Sequence, residues 1–495
     1  MNITENPLWT GPPFQRKNDQ GKVELMKERV NFSRNAEISL KNKNLQRNLD
    51  YSLTLSNKKR NELVETFPEW EEMRSHAAQL RTHVVENLEK YLREFSDNAT
   101  QKGLQILWAK DATRACELIA GTLREHHVSR VVKSKSMLTE EIDLNNYLSK
   151  QGITPIETDL GEYIAQIASQ KPSHITAPIS HLSRQEVASI MSENLGIRYT
   201  EDPAELTSAA RRILRSSFLS AEAGISGTNF GLAREGSLVV VENEGNARLS
   251  ISLPPIHIAV MGIERVLPGL ADLPLLLTLL TVSATGQRIS NYVSIINSPS
   301  KQGEPDGPEK VFIVLVDNGR TEILRNVKYR PILNCIRCGA CLNICPVYRK
   351  VGGHAYGSVY PGPLGAVLSP VLFSRTQYRD LPYASTLCGA CTEVCPVKIP
   401  LHHLLLDLRA DNVQSSARPT VERIMFSIFG LICSRPRLYR GLEKIIRCLQ
   451  PLIRSRDGGL FIPGWSKTRY FPGLAPQSFH AQWQSEKMEN NDISL

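Results

Sequence analysis

The sequence predicts an α/β domain followed by a small, cysteine-rich helical domain. Three observations carry this. From about residue 104 to 318, short Val/Ile-rich runs alternate with segments of helical period, the pattern of a mainly parallel sheet covered on its faces. Seven cysteines then crowd into residues 335–395, in two runs that each end in Cys-Pro. The segments around those cysteines read as helices, not as alternating strands.

Taken in order, residues 1–65 are polar and weakly periodic, and predict a basic N-terminal arm, extended or partly helical. Its stretch "KNKNLQRNLDYSLTLSNKKRNE" contributes to a net charge of +9. No nucleic-acid module or aromatic-rich basic groove accompanies it, so a solvated arm or a partner-docking surface is expected rather than nucleic-acid binding. Next, Trp70, Met73, Ala77, Leu80, Val84, Leu88, Tyr91 and Phe95 recur in steps of three and four, one face of a long core helix.

Strands are predicted at "LQILWA" (104–109), "VSRVVKS" (128–134) and "TPIET" (154–158), with helices over 111–126, capped by Asp111, and over 139–152. Ser183 and Glu186 stand at capping-box spacing and open another helix. "GSLVVVEN", "IHIAVMG", "YVSIINS" and "KVFIVLVD" complete the strands. The apolar run 266–286 is interrupted by Asp272 and Pro274; it reads as a buried core helix, too short to span a bilayer. A Gly/Pro-rich loop (298–310) precedes the last strand. The domains expected are therefore the arm (1–65), an α/β domain (66–318), a helical cysteine domain (319–415) and a docking tail (416–495), with a Pro-interrupted aromatic strap at 464–483.

The start lacks a basic segment followed by an apolar one, so no secretory signal is expected. A cytoplasmic, reducing location follows, where clustered cysteines mean metal rather than disulfides. The first run is Cys335-x2-Cys338-x2-Cys341-x3-Cys345-Pro346. This is the spacing of bacterial ferredoxins, in which three cysteines wrap one iron–sulfur cluster and the fourth ligates the other. Gly339 lets the backbone approach closely. The second run is Cys388-x2-Cys391-x3-Cys395-Pro396, with Ser385 where Cys335 would stand. Crossed ligation gives one cluster to Cys335, Cys338, Cys341 and Cys395, and the other to Cys345, Cys388, Cys391 and a ligand left open. Structural zinc favours paired C-x2-C units with a long spacer. Cys433, Cys448 or a three-iron cluster are the alternatives at the open corner. His402 and His403 are expected to cap or face solvent, and Cys116 to be a buried apolar residue. Arg330, Arg337, Arg349, Lys350 and Lys398 lie near the runs, where cations would stabilise the reduced form.

A second candidate site lies in the α/β domain. Lys133 and Lys135 end a strand, where open α/β sheets place ligands. Gly224, Gly227 and Gly231 space a flexible loop, and Thr228, Asn229, Glu235, Glu242 and Asn243 surround "SLVVVE". Together they predict an anion or substrate pocket. The glycines do not form a dinucleotide fingerprint, and no catalytic residue is assigned.

The order "GISGTNFGLAREGSLVVVENEGN", "CIRCGACLNICPVYRKVGGHAYGSVYPGP", "LCGACTEVCPVKI" resembles the iron–sulfur protein B family of bacterial lactate-utilization systems, over residues of about 70 to 485. The resemblance implies an α/β domain similar to the ribose-phosphate isomerase/CoA-transferase class and a helical ferredoxin module with two 4Fe-4S clusters. It implies a cytoplasmic three-protein complex oxidising L-lactate to pyruvate, with this chain as the electron-transfer subunit between donor and acceptor proteins. The three-cysteine second motif belongs to that family pattern. Two other readings stand beside it: an acyl- or sugar-phosphate-handling α/β enzyme with a regulatory cluster domain, and a scaffold with structural clusters. Companion subunits are the expected partners, with no transmembrane segment; a peripheral membrane contact is left open.

Overall fold

A computed structural model of the chain describes residues 29–304, 306–415, 420–453, 458–463, 466 and 469–492. It divides into two compact units between Asp411 and Asn412.

The first unit holds ten strands: β1 (Gln105–Ala109), β2 (Arg130–Lys133), β3 (Thr154–Glu157), β4 (Ala223–Gly227), β5 (Phe230–Leu232), β6 (Ser237–Glu242), β7 (Ile256–Gly262), β8 (Val266–Leu267), β9 (Tyr292–Ile296) and β10 (Lys310–Val316). Six form an all-parallel sheet in the order β1-β10-β7-β4-β2-β3. Its central strands are buried on both faces. Ile258 and Val260 pack with Ile119, Leu123 and Leu148 on one side, while Ala259 and Met261 pack with Leu92 and Phe95 on the other, as a two-residue period requires.

The other four strands depart from the single mainly parallel sheet expected. They form a separate sheet, β8-β5-β6-β9, in which β5/β6 and β6/β9 are antiparallel. Only four residues join β5 to β6, and so short a connection closes a hairpin, never a parallel crossover. Gly236 in that turn has φ 56°, and a Cβ there would lie 2.4 Å from the Ala99 nitrogen.

The predicted flexible glycine loop is also corrected: Gly224 and Gly227 lie in β4 and Gly231 in β5. They are glycines for closeness rather than freedom. A Cβ on Gly224 would sit 1.7 Å from the Ser250 carbonyl oxygen. Gly224→Ala is therefore expected to destabilise the chain by about 3 kcal/mol, read as a lower unfolding midpoint. A midpoint equal to the parent's would show that β4 and the helix Asn246–Ser252 can move apart freely.

Two predicted helices are each broken in two. Asn87 leaves helical geometry (φ −113°, ψ 30°) between Trp70–Glu86 and Leu88–Gln101, although the predicted apolar face survives across the break. Asp143, at φ 54°, separates Met137–Glu141 from Leu144–Lys150. The Asp111 cap and the Ser183/Glu186 capping box form as expected. Helix Pro203–Leu219, capped by Asp202, was not anticipated. The apolar run yields the helix Leu273–Thr285, and no helix among the described residues is long and apolar enough to cross a membrane.

The basic arm is helical from Phe32 onward, within the expectation of a partly helical segment, but the expectation of a solvated arm is corrected there; residues 1–28 lie outside the described residues. Phe32–Lys41 and Lys43–Val64 are helices. Leu49 and Leu53 are fully buried in the cluster that holds Tyr348, Val351 and the cysteine segments. Asn57 Nδ2 donates to the Asn343 carbonyl at 2.8 Å. The polar majority of the segment hid a narrow apolar stripe.

The cysteine region is helical, as expected: Ala340–Ile344, Pro346–Val351, Gly362–Leu372, Ala390–Glu393 and Leu401–Gln414. Leu401, Leu404, Leu405 and Leu408 are buried on one face of the last. The second unit carries the helices Thr420–Cys433, Pro436–Leu449 and Phe479–Asp492. Part of the expected strap (464, 465, 467 and 468) lies outside the described residues, and its end is helical rather than extended.

Candidate metal centre

Each cysteine run curls through two left-handed residues. In the first run these are Arg337 (φ 61°) and Gly339 (φ 78°); in the second they are Leu387 (φ 55°) and Gly389 (φ 84°). A short helix follows each glycine. Non-glycine residues rarely adopt this region, so its occurrence at matching positions marks one turn used twice. The side-chain contacts repeat as well. Arg337 N–H points at Cys335 Sγ (3.4 Å), and Leu387 N–H donates to Ser385 Oγ (3.0 Å). Tyr348 N–H points at Cys345 Sγ (3.5 Å), and Ile399 N–H at Cys395 Sγ (3.4 Å). Ser385 thus occupies the place of Cys335 in three dimensions, not only in alignment.

The thiols crowd one another, most of them within two groups, with Cys341 meeting members of both. Burial raises Cys338, and Cys395 and Cys335 push it further. Burial likewise raises Cys341, next to Cys338 and Cys335 and, more weakly, Cys391 and Cys395. Cys395 is pushed up to about 11, by burial first, with Cys335 adding to it. In the other set, burial and then Cys345 and Cys388 push Cys391 up to about 12, and Cys345 is raised by burial with Cys388 beside it. Cys388 is exposed, and is lowered by the Thr386 hydroxyl and the Ala390 N–H.

Among the described residues no cysteine forms a disulfide. Buried thiolates crowded together are stable only against a cation, and a soft metal is the cation thiolates prefer. The donor set therefore fits iron–sulfur ligation.

The cations that matter differ from those expected. Arg349 is spent on Asp50 (3.0 Å), Lys398 on Glu71 (3.3 Å) and Arg330 on the Leu324 carbonyl (2.8 Å), while Lys350 is exposed. Only Arg337 is held inside, over the Tyr360 ring at 4.7 Å. Two buried arginines, Arg74 and Arg81, and the half-buried Arg265, all passed over in the sequence reading, grip the motif backbone instead. Arg74 donates to the Cys395 carbonyl (3.0 and 2.8 Å), Arg265 to the Cys335 carbonyl (3.2 Å), and Arg81 to the carbonyls of Leu333 (3.1 Å) and Asn334 (3.4 Å). A signal existed: Arg74 and Arg81 fall on the same helix face as Trp70, Ala77 and Val84, where a charge needs a buried partner.

His402 Nδ1 meets Thr392 Oγ1 at 2.7 Å, a cap contact rather than a ligand. Cys116 is apolar filling, pushed up to about 12 by burial, and its Sγ lies 3.3 Å from the Ile142 carbonyl. Cys433 and Cys448 are exposed on helices of the second unit.

The predicted pocket is only partly assembled. Lys135, Thr228, Asn229, Glu242 and Asn243 line a cavity of about 340 Å³. Lys133 does not: it is buried on Glu157 (2.8 Å) and Thr139 (3.0 Å). Glu235 also lies elsewhere, accepting from the Leu270 N–H at 3.0 Å. Both errors have one cause, since a charged residue at a strand end or turn can be consumed by local structure. Arg265, Glu264, Arg320, Arg337 and Tyr360 line the cavity instead, and none was foreseen there.

Three family models match the chain: a LUD domain over residues 92–316, a 4Fe-4S dicluster domain over 331–399, and the C-terminal region of lactate utilisation protein B over 409–488. Among curated relatives, the chain is similar to lactate utilization protein B of Bacillus velezensis, 47% identical with 88% of this chain and 92% of the relative covered. It is 45% identical to that of Bacillus subtilis (87% and 90%) and 41% identical to that of a Geobacillus species (94% and 98%). Among solved structures, a DUF162 family protein from Deinococcus radiodurans covers 46% of this chain and 98% of its own, at 12% identity and a TM-score of only 0.26. The expected iron–sulfur cofactors, most simply two 4Fe-4S clusters, accord with the matched dicluster domain. With an α/β core, a dicluster domain and relatives matched along nearly their whole length, the chain belongs to the lactate utilization protein B family.

Proposed function

We propose that this chain is the iron–sulfur electron-transfer component of a cytoplasmic complex that oxidises L-lactate to pyruvate. The observation that supports this reading is that two cysteine runs, each ending in Cys-Pro, adopt the same pair of left-handed residues inside a matched 4Fe-4S dicluster domain. Crossed ligation would build two centres from one intertwined segment and so hold them close together, as a relay needs. The assignment is Cys335, Cys338, Cys341 and Cys395 for one 4Fe-4S cluster, and Cys345, Cys388 and Cys391 for the other, with Ser385 at its fourth corner. Such clusters supply one-electron storage and release. The protein fixes the cysteine carbonyls with Arg74 and Arg265, and excludes water with buried Tyr348, Tyr356 and Leu342. Exposed Cys388 puts the second centre at the surface, where a partner's redox site can approach. We also place the α/β domain in the ribose-phosphate isomerase/CoA-transferase class. The lactate-utilization names of the relatives support companion subunits as donor and acceptor.

Anaerobic stepwise reduction followed by electron paramagnetic resonance tests the role. Two reversible signals are expected; centres that cannot be cycled would leave only a scaffold. The isolated chain is expected not to oxidise lactate, because its sequence carries no recognisable flavin or nicotinamide fingerprint and iron–sulfur clusters alone do not perform hydride chemistry. Turnover by the pure chain with an artificial acceptor would overturn that.

Ser385→Cys offers a thiolate in a turn already shaped like that of Cys335. The variant is expected to retain iron longer against a chelator, with a changed low-temperature spectrum of the second centre. If neither quantity moves, Ser385 is not at the corner.

A further inference from the structure

The second unit carries a surface that the electron-transfer reading does not use. Its helix Pro436–Leu449 sorts its residues by side. Leu438, Tyr439, Leu442, Ile445, Ile446 and Leu449 fall on one stripe, in helical steps, while Arg437, Arg440, Lys444 and Arg447 fall on the opposite one. A helix of a globular domain turns such an apolar stripe toward a core. Here five of its six residues are exposed, Ile445 by 57%, and only Ile446 is half-buried.

The helix before it, Thr420–Cys433, repeats the exposure over a wider arc. Ile424, Met425, Phe426, Ile428, Phe429 and Leu431 are exposed, Phe429 by 62%. At about 100° per residue these six spread over more than half of the helix circumference. A groove on a partner protein takes one stripe of a helix, whereas a fluid apolar phase covers a wide arc. Exposed apolar side chains gathered on two consecutive helices call for an occupant.

Length and charge select it. Each helix has 14 residues, about 21 Å at about 1.5 Å per residue. That is short of the ~30 Å hydrocarbon core of a bilayer, so the helices fit along a membrane surface and not across it. Between residues 420 and 449 stand six Lys/Arg and two Glu. Glu443 is taken by Arg447, and among the described residues Arg435, Arg437, Arg440 and Lys444 form no ion pair. Unpaired cations backing an apolar face are complementary to a surface with an apolar interior and anionic headgroups. We propose that the helices Thr420–Cys433 and Pro436–Leu449 dock the chain on an anionic lipid surface, their apolar side chains entering the headgroup boundary and Arg437, Arg440 and Lys444 reaching lipid phosphates.

The test is cosedimentation of the full-length, anaerobically iron-loaded chain with two kinds of vesicle, phosphatidylcholine alone and phosphatidylcholine mixed with phosphatidylglycerol. Binding to the mixed vesicles is expected, about tenfold or more tighter than to phosphatidylcholine and loosened by added salt. The double variant Arg437→Gln, Arg440→Gln is expected to weaken it about thirtyfold, at about fivefold per cation. The double variant Phe429→Ser, Ile445→Ser is expected to weaken it at least as much. All four side chains are exposed, except that their loss should leave iron content and circular dichroism as in the parent. No binding to the mixed vesicles, equal binding to both kinds, or an arginine variant that binds like the parent would each overturn the proposal. Protein occupants give other outcomes. A parent that is an oligomer by light scattering, dissociated by the Phe429→Ser, Ile445→Ser pair and indifferent to vesicles, would give the face to a second copy. Vesicle binding by the isolated chain that is lost in the complex purified from cells would give it to a companion subunit. Either result overturns the proposal. Sedimentation needs no redox chemistry, so its failure leaves the electron-transfer reading standing, and failure of reversible reduction leaves this one standing.

Discussion

Serine at Cys341 or at Cys395 is expected to remove one and the same cluster, although the two residues lie in different runs. Each variant should lose about half of the iron and the same resonance signal, because both thiols ligate one cubane under crossed ligation. Cys391→Ser should remove the other signal. The grouping has a physical basis. Cys395 acts on Cys338 ahead of Cys335, and Cys391 is acted on by Cys345 and Cys388, while Cys341 lies next to Cys338 and Cys335 and also meets Cys391 and Cys395. Iron analysis and low-temperature spectra of the single variants check it. Loss of different signals in Cys341→Ser and Cys395→Ser would sink the crossed assignment.

The second large effect is at Glu264. It is buried, and three arginines converge on it. Burial alone would raise its carboxyl, but Arg320, Arg265 and Arg337 outweigh burial and hold it at about 2. Glu264→Gln keeps the shape and removes the charge, leaving the guanidinium groups to repel across a dry site. Removing one partner of a buried ion pair costs about 3–5 kcal/mol, and that loss is expected at neutral pH. The pH dependence follows from the direction of the shift. The folded value lies below the ordinary 4.5, so the stabilisation is complete above the unfolded value and fades as pH falls from there toward about 2. The gap between parent and variant should therefore shrink over that window. Chemical unfolding followed by far-ultraviolet circular dichroism at several pH values measures it. A variant as stable as the parent at pH 7, or a gap that does not change with acid, would mean that Glu264 does not hold the arginines together.

By itself, the sequence determined what depends on local chemistry. Cysteine spacing identified the iron–sulfur runs, since a small cluster dictates the intervals between its ligands. Hydrophobic period located the strands of the parallel sheet except β4, which its glycines disguised as a loop, and the capping residues Asp111 and Ser183 placed helix starts to the residue. Even the buried arginines left a trace, as charges on the apolar face of Trp70–Glu86.

Only the tertiary structure decided what depends on which segments meet. Strand pattern does not encode pairing partners, so β6 and β9 were indistinguishable from members of the main sheet until the hairpin placed them in another. A glycine reads as flexibility, yet Gly224 is there because the Ser250 carbonyl oxygen leaves no room for a Cβ. Lys133 and Lys135 are two residues apart and look alike in sequence. One is consumed by Glu157, while the other faces the cavity, because Lys133 is the last residue of β2 and Lys135 lies in the connection beyond it, where the strand period no longer sets the direction of a side chain. The cavity's arginine wall comes from residues 265, 320 and 337, far apart along the chain. Charge balance among such residues is a property of their shared burial, which no local pattern records.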